Sequence, residues 1–277
     1  MIPKIRGEHI SVPIDDLVRE AENLVRNGTR EVILIAQDLT YYGVDLYGER
    51  RLNELIQRLA DVAGLEWLRL HYTHPTGFPL DILATLRERD NICNYLDIPF
   101  QHISSRMLKI MNRGITREKT EELIRKIREE VPGVALRTTL LSGHPGETEE
   151  DHAELMEFLR EFRIDRVGVF MYSAEEDTHS FTLGDDVPKE VKQRRFDELM
   201  QLQQTISLEL NQARIGQTYK AIIDKRTKSS FVGRTQFDSP DVDNEVIIRN
   251  RDLRVGKFYD VEVTDAGEYD LIGRVAR

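Results

Sequence analysis

With 277 residues, 40% of them hydrophobic, the chain can bury one large core with a small module beside it, and 32% charged residues suit an aqueous protein. No apolar run approaches the ~18 residues of a membrane span. The opening residues lack a stretch of signal-peptide length and the lone cysteine, Cys93, excludes an internal disulfide framework, so a cytoplasmic protein is expected. The net charge of −10 is uneven: residues 213–277 hold 12 Lys and Arg against 11 Asp and Glu, leaving residues 1–212 with 27 against 38. Such an acidic body argues against general nucleic-acid affinity, which needs clustered cations, and suits a basic partner better, although solubility alone explains the same excess.

Helical and strand patterns alternate from Ile14 to about Ile215. A stripe of Leu17, Ala21, Leu24 and Val25 ends at Gly28 and precedes a buried strand at 32–36. Leu52, Leu55, Ile56 and Leu59 mark a second helix before a strand at 67–70. Leu80, Ile82, Leu83 and Leu86 mark a third before 95–98. Leu123, Ile124 and Ile127 precede a strand at 134–141; Ala153, Leu155, Met156, Phe158 and Leu159 precede one at 166–170. A last helix runs from near Pro188 to Gly216. Five strands interleaved with six helices predict parallel pairing with right-handed crossovers. The α/β fold expected is a partial (β/α) barrel over residues 1–212 that lacks its first strand, leaving the strand at Val32 with an open edge that a further segment or self-association would cover.

After Gly216 the pattern changes to short strands near 219–224, 231–235, 245–248, 258–263 and 269–272, separated by Gly, Asn and Asp. They predict a small antiparallel five-stranded β-barrel over residues 213–277, an architecture suited to recognition.

In a parallel barrel the ligand lies beyond the carboxyl ends of the strands. The polar residues there are Gln37, Asp38 and Thr40; His71, Tyr72 and His74; Gln101 and His102; Ser142, Gly143 and His144; and Tyr172, Ser173 and Glu175. Gly143 and Gly146 allow a turn close to a ligand, and Thr148, Glu150 and Asp151 open a helix whose free N–H groups attract polar groups. Arg137 points into the barrel or its mouth, where an ion pair and a ligand contact are equally compatible with its position. His71, His74 and His102 could form a tris-imidazole zinc site, but histidines at strand ends also serve as hydrogen-bonding groups. Cys93 falls at a strand start, at the end away from these residues, and reads as a small core residue.

Ile35-Ala-Gln-Asp-Leu-Thr-Tyr-Tyr-Gly43, Leu70-His-Tyr-x-His-Pro75, Asp97-Ile-Pro-Phe-Gln-His-Ile-Ser104, the run from Arg137 to Thr148, and Phe170-Met-Tyr-Ser173 together resemble the radical S-adenosylmethionine methylthiotransferases over essentially the whole chain. The version here is closest to the branch that methylthiolates an aspartate of ribosomal protein S-12, rather than the tRNA-modifying branch. The resemblance implies S-adenosylmethionine held by Gln37, Gln101, His102, Arg137, Tyr172 and Ser173, with Gly143 to Gly146 along its adenine and ribose. It also implies a C-terminal TRAM domain that holds the substrate. Two 4Fe-4S clusters serve the intact family enzymes, whose cluster-binding cysteines are absent from these 277 residues. The opening Ile2-Pro-Lys-Ile-Arg-Gly7 looks like the stretch just after the last cluster cysteine. A truncated, inactive enzyme is therefore the expectation, with no catalytic residue and no metal ligand of its own.

The loop with Asp238, Asp241, Asp243 and Glu245 is expected to attract a basic ribosomal protein and repel tRNA. The alternatives are a tRNA methylthiotransferase, a histidine-metal enzyme and a non-catalytic protein-binding module.

Overall fold

A computed structural model describes residues 7, 9–249 and 252–276; the sequence stretch 2–6 of the expected post-cluster segment lies outside them. Five parallel strands, β1 (Glu31–Leu34), β2 (Trp67–Leu70), β3 (Ile92–Asp97), β4 (Ala135–Ser142) and β5 (Arg166–Met171), pair in sequence order as one open sheet. The crossovers carry α1 (Ile14–Arg26), which precedes β1, α2 (Val44–Tyr47), α3 (Leu52–Ala60), α4 (Ile82–Glu88), α5 (Ser105–Ile110), α6 (Arg117–Glu130) and α7 (Glu149–Phe162). After β5 come α8 (His179–Thr182) and the long α9 (Lys189–Gln212). Among the described residues β1 pairs only with β2, so its other edge is open, as the partial barrel requires.

The sheet is two-faced because its side chains alternate. Leu68, Leu70, Leu96, Leu136 and Leu140 join the large core with Leu55, Ile56, Ile82, Ile124, Leu155 and Phe158 of the helices. Each fully buried aliphatic side chain there contributes about 1.5–3 kcal/mol. The opposite face carries Trp67, Cys93, Tyr95 and Ala135, which pack with Ile222, Phe237 and Phe258 of the C-terminal unit. Thr148 opens α7 through a capping box: its side chain accepts from the Asp151 N–H while the Asp151 carboxylate accepts from the Thr148 N–H.

The C-terminal unit closes β6 (Thr218–Arg226), β7 (Phe231–Thr235), β8 (Val246–Ile248), β9 (Phe258–Ala266) and β10 (Leu271–Val275) into a barrel of order β10-β8-β7-β6-β9. Its interior holds Ala221, Ile223, Phe231, Val246, Ile248, Val261, Val263 and Leu271. The expected all-antiparallel pairing needs correction, because β8 and β10 run parallel and the barrel is mixed. Closure forces this: the three-residue β8 enters after a long loop and meets the strand that lies two positions later in the chain.

The two units are bound by charge as well as by apolar packing. Arg69, fully buried on β2, donates to Glu31 at 2.8 Å and to the Gln236 carbonyl at 2.8 Å. Arg234 of β7 reaches Glu31 at 2.7 Å and Asp224 at 2.8 Å. Burial opposes the charge on Glu31, but the Arg234 hydrogen bond and the Arg69 charge outweigh it and hold the carboxyl below its ordinary value.

Candidate functional site

The strand ends form a continuous rim stitched by backbone hydrogen bonds. Leu39 N–H donates to Tyr72 O at 3.0 Å, Thr73 N–H to Asp97 O at 2.9 Å, and Ile98 N–H to Arg137 O at 2.9 Å. Leu141 N–H donates to Gln101 O and Tyr172 N–H to Ser142 O, both at 2.8 Å. Tyr72 and Gln101 sit at φ 56° and 70°, a left-handed conformation that costs a side-chain-bearing residue about 1–3 kcal/mol unless its surroundings fix it. Two such residues follow successive strands, β2 and β3.

Gly143 lies at the centre of the rim with φ 74°, and a Cβ there would collide with the side-chain carbons of Lys192. The turn needs glycine for conformation and for space. The hydroxyls of Ser142, on the helix-facing side of β4, and of Tyr172, just after β5, are buried without a hydrogen-bond partner. The His144 ring stands edge-on to Tyr172 at 5.3 Å and shares a 2.7 Å hydrogen bond with Ser180. Burial lowers the affinity of His144 for a proton, so it is held neutral.

Lys192, from the first turn of α9, is buried beneath this turn. Its Nζ donates to Asp185 at 2.6 and 2.7 Å and lies 4.9 Å from the Tyr172 ring centroid. Behind the turn, Glu147 accepts from the Gly143 N–H and pairs with Arg195 of α9 at 3.3 Å. Sequence reading missed Lys192 and Arg195. Their signal is spacing: Lys192, Arg195, Leu199, Gln203 and Ile206 all lie on the buried stripe of α9, and two cations on a buried stripe need anionic partners.

The expected cofactor contacts divide. Gln37 and Ser173 are exposed, Gln101, Gly146 and Tyr172 are half-buried, and Gly143 is buried within the turn. Arg137 is committed elsewhere, donating to Asp97 at 3.0 Å and pairing with Asp243 at 3.3 Å. His102 is fully buried; its Nδ1 accepts the N–H groups of Ile103 at 2.9 Å and Ser104 at 3.0 Å, leaving Nε2 3.6 Å from Glu147. His102 lies behind the rim with its Nε2 unpartnered, and Arg137 lies on the opposite face of the sheet from the leucines with its side chain 18% exposed.

The four loop carboxylates do not form one exposed patch. Asp238 is 1% exposed and pairs with Arg166, and the Asp243 side chain, 2% exposed, faces Arg137 and accepts from the Tyr95 hydroxyl at 2.7 Å. Only Asp241 stays fully on the surface, while Glu245 is partly exposed and paired with Lys225 at 2.6 Å. The buried Arg166 and the half-buried Arg137 on the strands draw the other two inward.

The histidine-metal reading is not supported by the geometry. His71 shares a hydrogen bond with Ser239, His74 accepts from Thr76 N–H, and His102 is taken by the loop behind the rim. Among the described residues no group of three or more His, Cys, Asp or Glu is placed to hold a metal ion. No helix among them is long and apolar enough to cross a membrane.

Comparison with known proteins identifies the superfamily. Residues 1–159 match the model of the radical SAM superfamily and residues 215–276 that of the TRAM domain. The ribosomal protein uS12 methylthiotransferase RimO of Cytophaga hutchinsonii is 52% identical over 278 residues, covering 100% of this chain and 64% of its own length. RimO of Christiangramia forsetii is 54% identical over 274 residues, covering 98% and 61%. This chain thus spans less than two thirds of the length of these curated relatives. Among solved structures, coproporphyrinogen III oxidase (HemN) from Escherichia coli superimposes with a TM-score of 0.51 at 19% identity, over 70% of this chain and 46% of that one, a likeness of fold alone. With a parallel partial barrel whose family model covers more than half the sequence, the chain belongs to the radical SAM superfamily.

Proposed function

We propose that this chain binds S-adenosylmethionine at the strand-end rim and docks ribosomal protein uS12, as its contribution to methylthiolating an aspartate of that protein. The name shared by relatives at 51–54% identity supports the substrate. The observation that carries the cofactor is the Gly143 turn beside the orphaned hydroxyl of Tyr172, since a buried polar group left without a partner fits a ligand rich in donors and acceptors.

Bound there, S-adenosylmethionine would present its adenosyl group at the strand ends; cleaving it to a hydrogen-abstracting radical takes one electron, which none of the described residues supplies. Gln37, Gln101, Gly146, Tyr172 and Ser173 surround it, and Gly143 lets the backbone approach. Arg137 and His102 orient the rim. An iron–sulfur cluster does not fit the residues present. Cys93 is the sole cysteine of the sequence, lies buried near the start of β3, and has its thiol pushed up to about 12 by burial.

The test is Tyr172→Phe. Its hydroxyl has no partner in the protein, so its removal should leave folding stability nearly unchanged while weakening S-adenosylmethionine binding about fivefold or more. Unaltered affinity would remove the hydroxyl, and the cleft with it, from the account. On the substrate side, Asp241 and Glu245 are the loop carboxylates available to a basic protein. Neutralising both should weaken uS12 binding at low salt and much less at high salt.

A further inference from the structure

The small barrel does more than offer a surface, because two of its loop residues bond the sheet residues that hold the rim. Tyr72, at the end of β2, keeps its left-handed φ of 56° through Asp97: Tyr72 N–H donates to the Asp97 carboxylate at 3.2 Å, and Thr73 donates to the Asp97 carbonyl through N–H at 2.9 Å and Oγ1 at 2.7 Å. Asp97 is 1% exposed and depends on Arg137, 3.0 Å away. Arg137 is in turn shared with Asp243 at 3.3 Å. Asp243 is itself pinned by the Tyr95 hydroxyl at 2.7 Å and the Ser239 N–H at 2.9 Å. A second link runs beside the first, from Ser239 Oγ to His71 Nε2 at 2.8 Å, and His71 is the neighbour of Tyr72.

We propose that Asp243 and Ser239 of the small barrel are positioning residues for the cofactor cleft, holding Arg137 and His71 so that the strained turn at Tyr72 and Thr73 keeps its place on the rim. The inference rests on the reading of that rim as an S-adenosylmethionine cleft, but its mechanical part stands on the hydrogen bonds alone. A guanidinium between two buried carboxylates has one orientation. Removing the Asp243 charge frees it to turn and loosens the Asp97 peg. The small barrel then acts as the floor of the cleft, and its docking is a condition for ligand affinity.

Amide hydrogen exchange on the whole chain tests this with Asp243→Asn and Ser239→Ala, using Asp241→Asn as the exposed control. The expected result is exchange about tenfold faster at Tyr72 and Thr73 in the first two variants, with β6–β10 protected as before and the control unchanged. In an Asp97→Asn background the added effect of Asp243→Asn on Tyr72 should vanish, because the path through the peg is already cut. Affinity for S-adenosylmethionine alone should fall by a similar factor in Asp243→Asn. Unchanged exchange at Tyr72 and Thr73, or an equal loss of protection throughout both units, would overturn the proposal. If the unaltered chain fails to bind S-adenosylmethionine, the cleft reading falls while the exchange data still decide this inference.

Discussion

Arg166, the first residue of β5, and Asp238, in the loop after β7, are 72 residues apart in sequence and joined by a 2.6 Å ion pair in which both side chains are almost wholly buried. Arg166 donates to one carboxylate oxygen through Nε and Nη2, and the Thr235 hydroxyl donates to the other at 2.8 Å. Asp238→Ala leaves a buried guanidinium unpaired and should cost about 3–5 kcal/mol, whereas replacing both partners with apolar residues of similar size should cost much less. Urea denaturation of the two variants checks this; equal destabilisation would mean that the pair acts through packing rather than charge.

Acid should weaken the fold in two stages. His71 is lowered from its ordinary 6.5 by burial, with Arg69 and Arg137 adding to the effect and Asp97 and Glu31 opposing it. Burial also lowers His74 and His144. The unfolded chain therefore binds protons that the folded chain refuses. Stability is complete above about pH 7 and declines as the pH falls through the histidine range. Glu31 and Asp151 are held below their ordinary values, so a second loss follows below about pH 4.5. Asp243, raised by burial, opposes the trend. The urea midpoint should drop between about pH 7.5 and 5.5, and by less in His71→Gln; a flat profile there contradicts the neutral, buried histidines.

Gly143→Ala should be costly for two separable reasons. The left-handed φ of 74° costs a Cβ-bearing residue about 1–2 kcal/mol. The collision with Lys192 adds about 1–3 kcal/mol, because that side chain is anchored on Asp185 and cannot swing freely. In a Lys192→Ala background the second cost should disappear and the first remain. Denaturation of Gly143→Ala in both backgrounds measures this; equal penalties would show that Lys192 yields.

Much of the scaffold could be read from periodicity. The strand at Trp67–Leu70 falls where apolar spacing puts it, and the long helices follow their stripes. The short α2, α5 and α8, with four to six residues each, are too brief to show a period. The inner face of the sheet was written in residues that look like interruptions: Arg69 on β2, Asp97 on β3 and Arg137 on β4 fall on the face opposite the leucines that meet the helices. A sequence shows that such residues need partners but not where the partners lie. The acidic loop therefore read as surface, although Arg166 and Arg137 draw Asp238 and Asp243 inside. The parallel pairing of β8 with β10 escaped for the same reason, since three residues carry no register information.

The most direct test of the cleft is where S-adenosylmethionine leaves its footprint on the intact chain, read by amide hydrogen exchange with and without the ligand. The account predicts added protection at residues 37–40, 72–74, 101–102, 142–147 and 172–173, the ends of five successive strands, and none at the start of β3 beside Cys93. Protection confined to any other surface, or no change at saturating ligand, would contradict it.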